Sequence, residues 1–226
     1  MMEYFDFSPQ LGTGVLAVLS KRFGDAGQTV EQERRSVTQS LNISYDSLAI
    51  PQQIHSANVK YTRIPGIIQQ TDGVVTQNPS VTLSLQVADC VPLFLLDEEL
   101  QIRGLIHAGW RGAVAQIATV AISLMVERGA RLQQIKGYLG PAIQYNHYTV
   151  GKEVAAHFHS DHRRHTPLGW QVDLYGQITM QLMESGVLKE NIGHSTISTF
   201  ESNECHSFRR DGDKAGRMIA ILKQVQ

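Results

Sequence analysis

Two largely apolar runs, Val91-Pro-Leu-Phe-Leu-Leu96 and Ile102-Arg-Gly-Leu-Ile106, constrain this chain more than any other feature. Only Asp97-Glu-Glu-Leu-Gln101 separates them. Short apolar runs without polar alternation, bounded by turn residues, read as buried strands, and a five-residue break makes a hairpin. Such a hairpin sets Cys90 at the beginning of one strand and His107 at the end of its neighbour, so that thiol and imidazole meet on one side. Pro92 cannot donate to a sheet ladder, which predicts an edge or a bulge at its position.

The flanking sequence supplies further short strands and a few helices. Leu11–Ser20 and Val81–Val87 read as strands, the second alternating apolar with small polar residues as a half-buried strand does. Leu48–Ile50, Asn58–Thr62 and Ile135–Leu139 add shorter β segments. Thr29-Val-Glu-Gln32 has the form of a capping box and predicts a helix over 29–41. Ala113–Arg128 reads as one long helix stopped by Gly129, and Gly151–His159 and Asp173–Met183 as two more. Ser195–Phe200 and Arg217–Leu222 suggest two final strands around a charged loop. Asp72, in Thr71-Asp-Gly73, reads as a turn residue. His157–His165 holds four histidines mixed with Asp161, Arg163 and Arg164, and reads as solvated surface. No repeat or linker divides the chain, so the expectation is a single mixed α/β domain over 1–226.

Charge and cysteine content narrow the function. Twenty basic against 21 acidic residues leave a formal charge of −1, which gives no footprint for nucleic acid or an anionic membrane. Small molecules or other protein chains are the partners to expect, and the oligomeric state is not set by these features. Cys90 and Cys205 are the only cysteines, too few for a disulfide framework. With no apolar stretch long enough to span a bilayer and no signal-peptide pattern, the expectation is a cytoplasmic protein.

A third group, His55 in Pro51-Gln-Gln-Ile-His55, joins Cys90 and His107 as a candidate. Two nitrogens and one sulfur with no fourth partner fit a catalytic zinc site, which keeps a position for water or substrate. Asp89, beside the thiol, is placed to orient a ligand or move a proton. The same His₂Cys set occurs in copper centres, although no methionine follows His107 until Met125 to serve as axial ligand. Alternatively, Cys90 is a nucleophile activated by His107, as in a thiol hydrolase. Gly109 and Gly112, with Arg111 at the start of the following helix, leave room for an anion. The residues alone leave these readings open.

Gln53-Ile-His55, Thr71-Asp-Gly-Val-Val-Thr76, Ala88-Asp-Cys-Val-Pro92, His107-Ala-Gly-Trp-Arg-Gly112, Leu139-Gly-Pro-Ala-Ile143 and Ser207-Phe-Arg-Arg-Asp-Gly212 with Gly216-Arg217 occur in the order found in the YfiH-like family. From about Ser20 to the C-terminus the chain resembles these proteins, also described as laccase-domain or multicopper polyphenol oxidase proteins and as purine nucleoside phosphorylases. The resemblance implies an α/β/β/α layered fold like that of certain toxin cysteine hydrolases, and zinc bound by His55, Cys90 and His107. It implies phosphorolysis of adenosine, inosine, guanosine and methylthioadenosine, with adenosine deamination, and copper-dependent phenol oxidation as the alternative. Purine nucleosides and phosphate are then the ligands. Arg22, Gln53, Arg111 and Arg210 become the substrate- or phosphate-binding candidates, and Asp89, Cys90 and His107 the catalytic ones. The chain departs from the pattern at Ser56-Ala57, Ser198-Thr199, Cys205-His206 and His147-Tyr-Thr149. None of these removes a proposed ligand.

Overall fold

The hairpin lies at the centre of the molecule. A computed structural model describes residues 2–23 and 29–225. In chain order the strands are β1 (Tyr4–Asp6), β2 (Val15–Ser20), β3 (Leu48–Pro51), β4 (Val59–Tyr61), β5 (Gly66–Ile68), β6 (Gly73–Thr76), β7 (Thr82–Val87), β8 (Val91–Asp97), β9 (Ile102–Ala108), β10 (Ile135–Leu139), β11 (Thr149–Val150), β12 (Arg163–Thr166), β13 (Gly169–Val172), β14 (Ile192–His194) and β15 (Met218–Gln224). The helices are α1 (Ser8–Leu11), α2 (Val30–Ser40), α3 (Trp110–Val114), α4 (Ile117–Glu127), α5 (Lys152–Ala155), α6 (Leu174–Glu184) and α7 (Phe208–Asp211).

Two six-stranded mixed sheets run β1-β2-β15-β7-β3-β5 and β14-β10-β8-β9-β6-β4, and a small third sheet runs β11-β13-β12. Side-chain alternation along β8 explains its continuous apolar sequence. Val91, Leu93 and Leu95 enter a core shared with α4 and α6, whereas Phe94 and Leu96 enter the core between the two large sheets. Leu83, Leu85 and Val87 of β7 and Ala220 and Leu222 of β15 close that second core. Ile219 and Ile221 of β15 face the other way, onto Val37 of α2. The order is therefore helix, sheet, sheet, helices.

Several elements differ from the sequence expectation, each for a local reason. The polar face of β7 is covered rather than solvated: Arg34 of α2 donates to Ser84 and Gln86. The long helix is interrupted, because Gln116 adopts a left-handed conformation between α3 and α4. The predicted helix over 151–159 is only Lys152–Ala155, and the following residues fold into the β12–β13 hairpin. Residues 195–200 contribute one isolated bridge, Ala142 to Ser198, and the neighbouring strand is instead β14. The capping box is present as read, with Thr29 and Gln32 each bonded to the other's backbone N–H.

Pro92 sits neither at an edge nor in a bulge. It is the second residue of the interior strand β8, opposite His107. Its carbonyl accepts from Gly140 N–H at 3.0 Å, the first rung beyond β10. The reciprocal bond to Gly140 O needs an N–H that proline lacks. The Tyr175 hydroxyl of α6 supplies it at 2.8 Å. Removing that donor strands a buried carbonyl, which costs about 1–3 kcal/mol. Tyr175→Phe is accordingly expected to lower the urea unfolding midpoint by an amount in that range with an unchanged slope; an unchanged midpoint contradicts this role for the hydroxyl.

Candidate metal centre

Three loops meet where β9 ends. His107 is its penultimate residue, Cys90 immediately precedes β8, and His55 lies on the connection between β3 and β4. The donor atoms of His55, Cys90 and His107 all lie within 4.8 Å of one another. The two imidazoles meet edge to face, with centroids 4.8 Å apart. Gly109 makes the convergence possible, since a Cβ there falls 2.9 Å from Cys90 Sγ and 3.4 Å from the His55 ring. Gly112 admits protein rather than ligand, because a Cβ there meets the Ser56 carbonyl at 2.9 Å.

Asp72 holds the centre in place, and its reading as a plain turn residue is incorrect. It has no solvent exposure. Its carboxylate accepts the backbone N–H groups of Ile54, His55 and Ser56 at 3.2, 2.9 and 2.6 Å, and the Ser56 hydroxyl at 2.7 Å. His107 Nδ1 approaches it at 2.9 Å. Three successive amides converging on one carboxylate keep His55 at a positive φ of 59°, a conformation unusual for histidine. With Nδ1–H donated to Asp72, His107 presents Nε2 to a ligand, the arrangement that orients metal-binding histidines. Burial by itself raises the Asp72 carboxyl, but the bonds from His107 and Ser56 hold it down at about 2. Around it, Thr71 Oγ1 bonds the Asn58 carbonyl, and a Cβ on Gly73 would meet Ile106 Cδ1 at 2.6 Å, so each residue of Thr71-Asp-Gly73 has its own steric or polar reason.

Electrostatics favour ionised ligands. Burial raises the Cys90 thiol, and the neighbouring His107 and His55 outweigh it, lowering the group to about 6. Burial likewise disfavours protonated His107, but Cys90 and Asp72 raise it to about 9. The metal-free pair is thiolate beside imidazolium. Two nitrogens and one sulfur, with no fourth protein donor among the described residues, suit a divalent metal that keeps one position open.

The centre lines a cavity of about 480 Å³, within the range of small-molecule sites. Trp110, Tyr148 and Phe208 provide apolar walls, and Arg111, Arg209 and Arg217 bring positive charge. None of these three arginines has a carboxylate within ion-pair distance among the described residues. Arg111 stacks on Trp110 and Arg209 lies over Tyr148. Arg209 and Arg217 belong to motifs that single out charge, but nothing in the sequence separates Arg209 from Arg210. The structure does: Arg210 turns away to Asp211 and to the carbonyls of Thr199, Phe200, Ser202 and Cys205.

The other sequence candidates are placed as follows. Gln53 lines the cavity, with its amide bonded to both backbone groups of Gln86. Asp89 also lines it, accepting from Thr199 Oγ1 at 2.6 Å and Arg209 N at 2.7 Å. Arg22 lies 3.8 Å from Asp211 and borders a separate depression; Gly24 and Asp25 of its loop fall outside the described residues. Arg111 stands in the first turn of the five-residue α3 and not beside a long helix. The histidines of 157–165 form no metal cluster among the described residues. No described helix is long and apolar enough to cross a membrane.

Comparison with known proteins agrees with this geometry. The family described as multi-copper polyphenol oxidoreductase laccase matches residues 17–224. A purine nucleoside phosphorylase of Deinococcus radiodurans is 34% identical over 204 residues, covering 88% of this chain and 78% of that one. Adenosine deaminase RL5, from an unknown prokaryotic organism, is 30% identical over 213 residues, covering 86% and 81%. The crystal structure of YlmD from Geobacillus stearothermophilus superposes with a TM-score of 0.88 at 25% identity, covering 97% and 94%.

Metal binding to this centre has a defined proton balance. The raised His107 must lose its proton to bind metal, whereas the lowered Cys90 is already a thiolate at pH 7. Zinc affinity should therefore rise with pH from neutrality towards about 9, with about one proton released per zinc at pH 7. Calorimetry in buffers of different ionisation enthalpy measures this. Release of about two protons means that Cys90 starts as a thiol, and release of none means that His107 starts neutral.

Proposed function

Because this chain belongs to the family described as multi-copper polyphenol oxidoreductase laccase, we propose that it is a zinc-dependent purine nucleoside phosphorylase acting on adenosine, inosine, guanosine and methylthioadenosine, with adenosine deaminase activity. The observation that carries the reading is one cavity lined both by a three-donor centre and by three arginines that have no carboxylate partner among the described residues. The names of the Deinococcus phosphorylase and of adenosine deaminase RL5 support both activities.

The chain's own residues divide the work. His55, Cys90 and His107 hold the metal. Zinc there supplies Lewis acidity towards a water or substrate oxygen, the chemistry that purine deamination requires. Arg111, Arg209 and Arg217 hold the phosphate dianion against the sugar, since guanidinium groups match phosphate oxygens in charge and geometry. Arg210 belongs to this proposal through the loop it secures, and Arg22 through Asp211. Trp110 and Phe208 offer faces to the base. Asp89 positions the Cys90 turn against Thr199 and the Arg209 backbone, and Gln53 ties the His55 loop to β7.

Zinc is favoured over copper by the donor set. No methionine lines the cavity to act as an axial ligand, and among the described residues no second cluster offers the further copper ions of a multicopper oxidase. A second reading has one observation in its favour: Cys90, His107 and Asp72 stand in the line of a thiol hydrolase, which also fits the proposed kinship with toxin cysteine hydrolases.

Incubating zinc-loaded protein with each nucleoside is expected to release free base and the sugar 1-phosphate only when phosphate is present. Adenosine should also yield inosine without phosphate. Absence of turnover with every purine nucleoside contradicts the proposal, phenol oxidation by a copper-loaded form favours the laccase alternative, and ester or amide cleavage by metal-free protein favours the hydrolase.

A further inference from the structure

A second cavity, of about 570 Å³, lies along α6 and shares no lining residue with the metal-centre cavity. One face of that helix supplies most of its lining. Asp173, Gly176, Met180 and Glu184 follow one another at helical spacing, with Tyr175 and Met183 beside them. Tyr145, His162 and His194 line it as well. Met183 is 44% exposed, so the rest of the chain does not close this helix face.

The charge on the face sits at its two ends. Asp173 is the N-cap of α6 and Glu184 its last residue, which places them on one side of the helix about 16 Å apart along its axis. Asp173 uses one oxygen to accept the Gly176 N–H at 3.0 Å, and the other makes no hydrogen bond among the described residues. Glu184 makes no side-chain hydrogen bond among them. Neither carboxylate has a lysine or arginine within ion-pair distance among the described residues, and no lysine or arginine lines the cavity. The last turn of α6 carries no basic residue, so the negative end of the helix dipole adds to Glu184. Arg164 stacks on Tyr145, but its guanidinium is held by Asn146 and Gln171 and is not part of the lining.

An occupant has to match an apolar middle and two anionic ends. A neutral apolar molecule leaves both carboxylates unmatched, a single amine matches one, and an anion is opposed at each. Between the ends, methionine adapts to an alkyl chain and tyrosine faces attract ammonium groups. We propose that the α6 groove is a binding site for an organic dication with an apolar spacer, of the alkyl diamine class, whose ammonium groups pair with Asp173 and Glu184. The site is independent of the phosphorylase and deaminase reading. It is opposite in charge to the arginine-lined cavity, so a dication is drawn to this groove and repelled from the other.

Calorimetric titration of the zinc-loaded protein with diaminooctane, octylamine and octanol tests the assignment, because the three share one chain and differ in charge. Diaminooctane should bind about fivefold more tightly than octylamine, as one added, partly exposed ion pair predicts, and octanol more weakly than either. Diaminobutane is too short to reach both carboxylates and should gain nothing over butylamine. Glu184→Gln removes no hydrogen bond among the described residues and should bring diaminooctane down to the affinity of octylamine. Thr179→Arg sets a guanidinium within the groove and should abolish diamine binding with zinc content unchanged. Absence of diaminooctane binding at millimolar concentration, equal affinity for diaminooctane and octylamine, or the same gain for diaminobutane over butylamine overturns the proposal. Diaminooctane binding untouched by both substitutions places the diamine elsewhere and also overturns it. The comparisons on wild type stand even if a variant folds poorly.

Discussion

The centre depends on one buried carboxylate. An ionised Asp72 without solvent is costly, by several kcal/mol for an isolated ion, and it persists only because every lone-pair direction is used. Five donors from two separate segments meet it, the amides of Ile54, His55 and Ser56, the Ser56 hydroxyl and His107 Nδ1. Its backbone carbonyl also accepts His107 N–H at 2.7 Å. One residue therefore fixes both histidines, in position through the backbone and in tautomer through the ring. The thiol comes from the opposite strand of the hairpin, so the centre is assembled where β6, β8 and β9 come together.

That location couples the centre to the layered core. β8 and β9 are covered on both faces, which makes their ends rigid platforms for short functional loops. Pro92 leaves one carbonyl of the 139–143 turn without its ladder partner, and Tyr175 fills the gap from α6. The chain then runs on from this turn to Tyr148, so the packing of α6 against the sheet bears on the cavity wall. Against Tyr148, α7 presents Arg209 to the cavity, while Arg210 holds the preceding loop together through four carbonyls.

Much of this was legible from residue patterns where the determinants are local. The 91–97 and 102–108 hairpin, the capped helix at 30–40 and the meeting of Cys90 with His107 follow from apolar run length, turn residues and caps. His55 was a candidate from its residues, but its role as a ligand rested on the motif resemblance, since a lone histidine on a loop carries no signal of its partners. What sequence reasoning missed is set by contacts remote along the chain. Asp72 has the local appearance of a turn residue, and its role appears only when residues 54–56 and 107 are folded over it. Arg209 and Arg210 are adjacent and chemically identical, and only the direction of the short helix separates the cavity residue from the brace. The interruption at Gln116 has no proline or glycine to announce it.

The central claim is that His55, Cys90 and His107 make a three-donor metal site that keeps one position open. X-ray absorption on the zinc-loaded protein tests it most directly. The expected spectrum has two nitrogen scatterers at about 2.0–2.1 Å, one sulfur at about 2.3 Å and one further light atom that exchanges with added ligand. A first shell without sulfur, or one closed by four protein donors, contradicts it.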